Sequence, residues 1–131
     1  MKAIILTPVG PVFEGEVAGV QMPGVIGGFE VRNGHAPLVS LLDVGKLVVK
    51  RQDDENLLYA ISGGFTEVND NVATVMVEEA IAPDQIDITK EKERKAQVEK
   101  ALKSLKIETP EHASAEKALR VIKNRIQIAG N

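Results

Sequence analysis

The sequence contains no cysteine among its 131 residues. Disulfides, thiolate metal sites and cysteine nucleophiles are excluded with it, and the absence accords with a reducing compartment. Aromatic residues are scarce too: three Phe, one Tyr and no Trp. The core therefore has to be built from Val, Ile, Leu and Ala, which suffices for a domain of this size. Nowhere do roughly 18 apolar residues follow one another. The apolar start Ala3-Ile4-Ile5-Leu6 reaches Pro8 too soon for a signal segment. A soluble, unexported chain is expected, with any membrane association running through protein partners rather than direct insertion.

Catalytic and metal constellations are missing as well. His35 and His112 fall in different halves, and neither has a second ligand at metal spacing. There is no Gly-x-Ser-x-Gly elbow, and Ser62 precedes Gly63-Gly64, where a tight turn accounts for both glycines. The stretch Gly24-Val25-Ile26-Gly27-Gly28 lacks the ending of a P-loop and the spacing of a dinucleotide fingerprint, so it reads as a loop. Glu78 and Glu79 are adjacent on a predicted strand and point to opposite faces, which rules out a converging acid/base pair. Asp53-Asp54-Glu55 reads as a charged hairpin tip. No enzyme active site is predicted, and no metal or cofactor.

What is present divides in two. Residues 1–83 carry 5 basic and 11 acidic side chains, and residues 84–131 carry 11 basic and 8 acidic. The last fifteen residues hold Lys117, Arg120, Lys123 and Arg125 without an acid. This asymmetry predicts parts with different tasks. With pI 5.4 overall and few aromatics for base stacking, the basic end suits an acidic protein surface better than nucleic acid.

The hydrophobic period changes at the same place. Ala3–Leu6, Glu16–Met22, Lys46–Lys50 and Val72–Val77 are short, β-branched runs, several of them alternating apolar with polar. Turn residues separate them at Pro8–Pro11, Pro23-Gly24, Gly27-Gly28, Asn33-Gly34, Gly63-Gly64 and Asn69–Asn71. The fold class is mixed and mainly β: an antiparallel β-sandwich over 1–83, then a two-helix hairpin over 84–131. Asp87 is a suitable helix N-cap, followed by Val98, Leu102 and Leu105 at helical spacing. Thr109-Pro110-Glu111 starts a second helix, on which Ala115, Ala118, Leu119, Ile122 and Ile126 repeat before Gly130. Such a narrow, alanine-rich seam is marginal in water, so the hairpin needs a docking surface.

Three motifs in order carry a resemblance. Phe29-Glu30-Val31-Arg32-Asn33-Gly34-His35-Ala36-Pro37-Leu38 resembles the signature of ATP synthase ε subunits of the bacterial F-type. Ile61-Ser62-Gly63-Gly64-Phe65-Thr66-Glu67-Val68 is similar to a second family segment, and Thr7-Pro8 with Val12-Phe13-Glu14-Gly15 to the opening strand pair. The resemblance implies about ten strands and a non-catalytic rotor subunit. That subunit would couple γ and the membrane c-ring to the catalytic head at the cytoplasmic side of the bacterial plasma membrane. It implies that Gly24, Val25, Ile26, Gly27, Gly28, Phe29 and Glu30, with His35, lie on the c-ring and γ side. Val25, Ile26 and Gly28 stand where the family often has acids, leaving Glu30. The C-terminal hairpin resembles a regulatory arm that inhibits ATP hydrolysis in some members. Lys117, Arg120, Lys123 and Arg125 would meet an acidic loop of β; cations late in a helix also suit its negative end. Some members bind ATP there, an alternative reading as a nucleotide-sensing module. Ile86, Asp87 and Arg125 match that pattern, but Lys90 replaces an arginine, Glu91 an alanine, and Val121 a further arginine. Lysine cannot reproduce the forked contacts of arginine, so weak ATP binding or none is expected.

Overall fold

The computed structural model describes residues 1–53 and 55–130; Asp54 of the expected hairpin tip lies outside them. The chain forms two compact units, Met1–Ala82 and a second from Pro83 onward. In the first, the strands are β1 (Lys2–Thr7), β2 (Gly10–Glu16), β3 (Gly19–Gly24) and β4 (Gly27–Arg32). They are followed by β5 (Leu38–Lys50), β6 (Asn56–Asn69), β7 (Val72–Val77) and β8 (Ala80–Ile81). They lie in the order β2-β1-β7-β6-β5-β3-β4, with β8 also on β6. Pairing is antiparallel except between β1 and β7, where Lys2–Leu6 runs parallel to Val72–Met76.

Among the described residues, eight strands replace the ten expected because β5 and β6 each do the work of two. Their register is unbroken from Leu38↔Val68 to Lys50↔Asn56. The inward side nevertheless changes along it. Leu38 and Leu42 face the core at the start of β5, but Leu47 and Val49 do so at its end. On β6 the inward residues are Leu57, Tyr59 and Ile61, then Thr66 and Val68. Side chains alternate strictly along a strand, so a change from odd to even positions means that the ribbon has turned over. Both strands turn at matched positions, near Val44↔Ser62 and Leu42↔Gly64. Each pair of halves thereby supplies a different wall of one core.

Glycine makes that turn possible. Gly63 and Gly64 have φ of 110° and 154°, a region that side chains rarely adopt. A Cβ on Gly64 would also overlap the carbonyl oxygen of Met76 on the neighbouring strand. The core enclosed in this way is aliphatic, as the composition requires: Ala3, Ile5, Val20, Met22, Val31, Leu47, Val49, Ile61, Val68 and Val75. Phe13, Phe29 and Tyr59 pack on it while only partly buried. The expected run Glu16–Met22 is broken at Val17-Ala18, whose amides bond to Met1 O and Lys50 O. Asp70 and Asn71, both with positive φ, form the two-residue turn of the β6–β7 hairpin.

The second unit opens with a short 3-10 helix, Pro83–Gln85, followed by α1 (Ile88–Ser104) and α2 (Pro110–Ala129). Asp87 and Thr109 cap them through Lys90 N and His112 N, and Pro110 begins α2. Gly130 ends α2 with helical dihedrals rather than the left-handed conformation. Val98 and Leu102 on α1, its C-cap Leu105, and Ala115, Leu119 and Ile126 on α2 are half-buried, and Ile122 is fully buried.

Gly64→Ala should destabilise the protein by roughly 2–4 kcal/mol, combining backbone strain with overlap against a neighbouring strand. Gly28→Ala meets only Met22 O at 3.7 Å and should change little. Urea midpoints of the two variants check the contrast.

Candidate functional site

The surface of the first unit is more informative than any cleft. Among the described residues no group of three or more His, Cys, Asp and Glu is arranged to hold a metal. The signature segment forms a corner built of backbone and amide bonds. Asn71 Oδ1 accepts from Gly34 N at 2.8 Å, and Asn71 Nδ2 donates to Asn33 Oδ1 at 2.7 Å. The Met1 ammonium also donates to Asn33 Oδ1, and His35 N donates to Arg32 O. Segments that are distant in sequence, at Met1, Asn33-Gly34 and Asn71, are thus tied together. The ring of His35 is exposed, with Nδ1 2.7 Å from Ala36 O.

The glycine-rich stretch is a hairpin, not an open loop. Gly24 pairs with Gly27, leaving Val25 and Ile26 as the tip. A Cβ on Gly24 would lie 2.5 Å from Gly27 O and 3.0 Å from the Phe29 ring, so the tight reversal requires glycine. Val25 N donates to Leu41 O on β5. Ile26 is 104% exposed, and Val25, Val39 and Leu41 beside it are also exposed, around a groove of about 550 Å³. Glu30 points away into ion pairs with Lys50 and Arg32. Its hydrogen bond to Lys50, and secondarily Arg32, holds its carboxyl below the usual range. The last acid of this stretch is therefore internally neutralised.

Pairing extends this patch across the sheet. Leu41 lies opposite Phe65, Phe65 opposite Met76, and Met76 opposite Leu6. Because β5 and β6 have turned over, Leu41 and Phe65 face outward, 67% and 40% exposed. The row continues to Pro11 on β2, next to the exposed tip of Pro8 and Val9. A second apolar groove, about 470 Å³, lies along it between Leu6, Phe65 and Met76. Strand spacing makes the row roughly 20 Å long. Both ends finish in apolar hairpin tips.

In the second unit, Lys117, Arg120 and Lys123 are exposed on α2, whereas Arg125 is buried. Arg125 therefore does not belong to the exposed basic face on which its sequence neighbours lie. Its Nη1 is 3.3 Å from Glu91 Oε1 on α1. Asp87 is used as the α1 cap, and Ile86 N donates to Pro83 O.

Residues 1–83 match the sequence model of a family described as the β-sandwich domain of ATP synthase delta/epsilon chains. Over 126 residues the chain is 36% identical to the ATP synthase epsilon chain of Halalkalibacterium halodurans, covering 96% of this chain and 94% of that one. It is 34% identical to the epsilon chain of Geobacter metallireducens, covering 99% and 94%. The chain belongs to the ATP synthase epsilon chain family. Its fold is also similar to a chain in the mitochondrial ATP synthase of Euglena gracilis, at TM-score 0.84 and 24% identity over 98% of this chain and 80% of that one. A chain in the central stalk and c-ring structure of the Tetrahymena thermophila mitochondrial enzyme gives TM-score 0.66 at 15% identity, covering 96% of each.

Asn71→Ala removes both side-chain hydrogen bonds of the corner and strains the turn, and should cost about 1–3 kcal/mol. Asn71→Gly keeps the positive φ and should cost less. His35→Ala should stay within about 0.5 kcal/mol of the parent, since the ring is exposed. Chemical denaturation ranks the three.

Proposed function

We propose that this chain is a non-catalytic rotor subunit of a proton-translocating F-type ATP synthase. In this reading the sandwich unit docks on γ and the c-ring, and the helical unit acts on the catalytic head. The observation that carries it is the apolar row. Monomeric proteins rarely leave contiguous apolar surface of this kind uncovered, and its presence marks an interaction face. The row suits γ, and the Val25-Ile26 tip with Val39 suits the ring. The neutralised Glu30 favours an apolar ring contact over a charged one. The Tetrahymena chain of similar fold belongs to a central stalk and c-ring structure, which supports the same assignment. No helix among the described residues is long and apolar enough to cross a membrane. Attachment at the cytoplasmic side of the plasma membrane would then run through these partners.

For the arm, Lys117, Arg120 and Lys123 are the cations proposed to meet acidic groups of β and restrain ATP hydrolysis. Arg125 is left out because Glu91 engages it. The same pair counts against ATP as a regulatory ligand: Glu91 already holds the arginine a phosphate would need, and Asp87 is occupied as a helix cap.

Phe65→Ser combined with Leu41→Ser should leave the isolated chain folded and weaken co-purification with γ of the same enzyme by roughly tenfold or more, as for loss of apolar anchors. Undiminished co-purification would place the docking face elsewhere. A chain ending after Ala82 should still bind γ yet lose any restraint on hydrolysis by the catalytic head.

A further inference from the structure

The sequence contains one Asn-Gly step, Asn33-Gly34. Asparagine is a chemically labile residue, and most so before glycine. Glycine has no side chain to crowd its own nitrogen as that nitrogen turns back on the preceding amide. Both residues are exposed at the corner between β4 and β5, so water reaches them. A Cβ on Gly34 would meet nothing within 4 Å, so the surroundings do not block the approach either.

What the structure does control is the two reacting groups. The Gly34 N–H, whose nitrogen is the nucleophile, donates to Asn71 Oδ1 at 2.8 Å. The Asn33 amide, the electrophile, accepts at Oδ1 from Asn71 Nδ2 at 2.7 Å and from the Met1 ammonium at 3.3 Å. One side chain, thirty-eight residues away, thus holds both ends of the reaction. The β6–β7 turn places it there, with Asn71 at a φ of 62° that suits asparagine or glycine. The two bonds differ in their chemical effect. Donors on Oδ1 would stabilise the oxyanion of an attack on Asn33 Cγ. The nitrogen, however, has to leave its bond to Asn71 and lose its proton before it can attack. The bond to Gly34 is therefore the restraint that decides.

We propose that Asn33 is a latent site of self-modification, and that Asn71 keeps it silent in the folded chain. The reaction needs only water. The Gly34 nitrogen gives its proton to solvent and bonds to Asn33 Cγ. The Cγ–Nδ2 bond breaks, and the nitrogen takes a proton from solvent and leaves as ammonia. Water then opens the cyclic imide at one of its two carbonyls, leaving aspartate or isoaspartate at position 33. Aspartate keeps an oxygen for Asn71 Nδ2 and the Met1 ammonium. Isoaspartate inserts a methylene into the main chain and moves Gly34 away from Asn71, so that product opens the corner. The site does not depend on what the sheet docks against.

Peptide mapping by mass spectrometry tests it, with the full chain incubated in neutral buffer and conversion of Asn33 to the acid followed over time. The parent should convert far more slowly than the same chain unfolded in guanidinium chloride. Asn71→Gly keeps the positive φ and loses both bonds. It should convert roughly tenfold faster than the parent or more, the worth of one or two hydrogen bonds. Ile61→Val, a core truncation of similar cost away from the corner, should convert at the parental rate. A parent as fast as the unfolded chain would overturn the proposal, as would Asn71→Gly at the parental rate. So would equal acceleration by Ile61→Val, which would assign the protection to overall stability.

Discussion

The single register in which β5 pairs with β6 is the constraint on which the sandwich depends. Thirteen residues of one strand and fourteen of the other stay in a single register while the ribbon they form turns over. That reversal lets one continuous sheet enclose an aliphatic core without aromatic bulk. It needs two successive residues in a backbone region closed to side chains, and Gly63-Gly64 provides them. Gly64 also has to pass against the backbone of β7, where a methyl group has no room.

The same reversal creates the apolar row proposed as the docking face. Before the turn, Tyr59 and Ile61 point inward; after it, the odd-numbered Phe65 points out. Leu41, directly opposite, does likewise, and the neighbouring strands continue the row through Met76 and Leu6. A residue type that would normally fill a core is displayed on the surface by the turn that completes the core. The fold's stability and the exposed apolar row are thus linked at one pair of glycines. The signature corner at Asn33 and Asn71 serves a neighbouring purpose, fastening the β6–β7 turn to the segment that leads into β5.

Much of this is legible in the sequence. The change of period near Pro83, both helix caps, the turn at Asn69–Asn71 and the family resemblance all rest on local residue chemistry. Local pattern does not show that Leu41 and Phe65 face outward, since that depends on where a long ribbon turns over relative to its partner. The strand count differs for the same reason: a glycine pair that reads as a tight turn is an interior corner of one strand. The parallel β1–β7 pairing joins segments some seventy residues apart and leaves no local trace. Charge alone groups Arg125 with its exposed neighbours, because its burial and its contact with Glu91, thirty-four residues earlier, are tertiary features.

The absence of native cysteine allows the central claim to be tested at single positions. Leu41→Cys and Phe65→Cys report on the apolar row, and Asn56→Cys on an exposed site at the far end of β6. Maleimide labelling rates would be compared between the free chain and the assembled synthase. If the row is the docking face, labelling at 41 and 65 slows by on the order of tenfold or more on assembly, as in the water-excluded centre of an interface, while position 56 is unchanged. Equal rates at 41 and 65 in the free and assembled states would contradict the account.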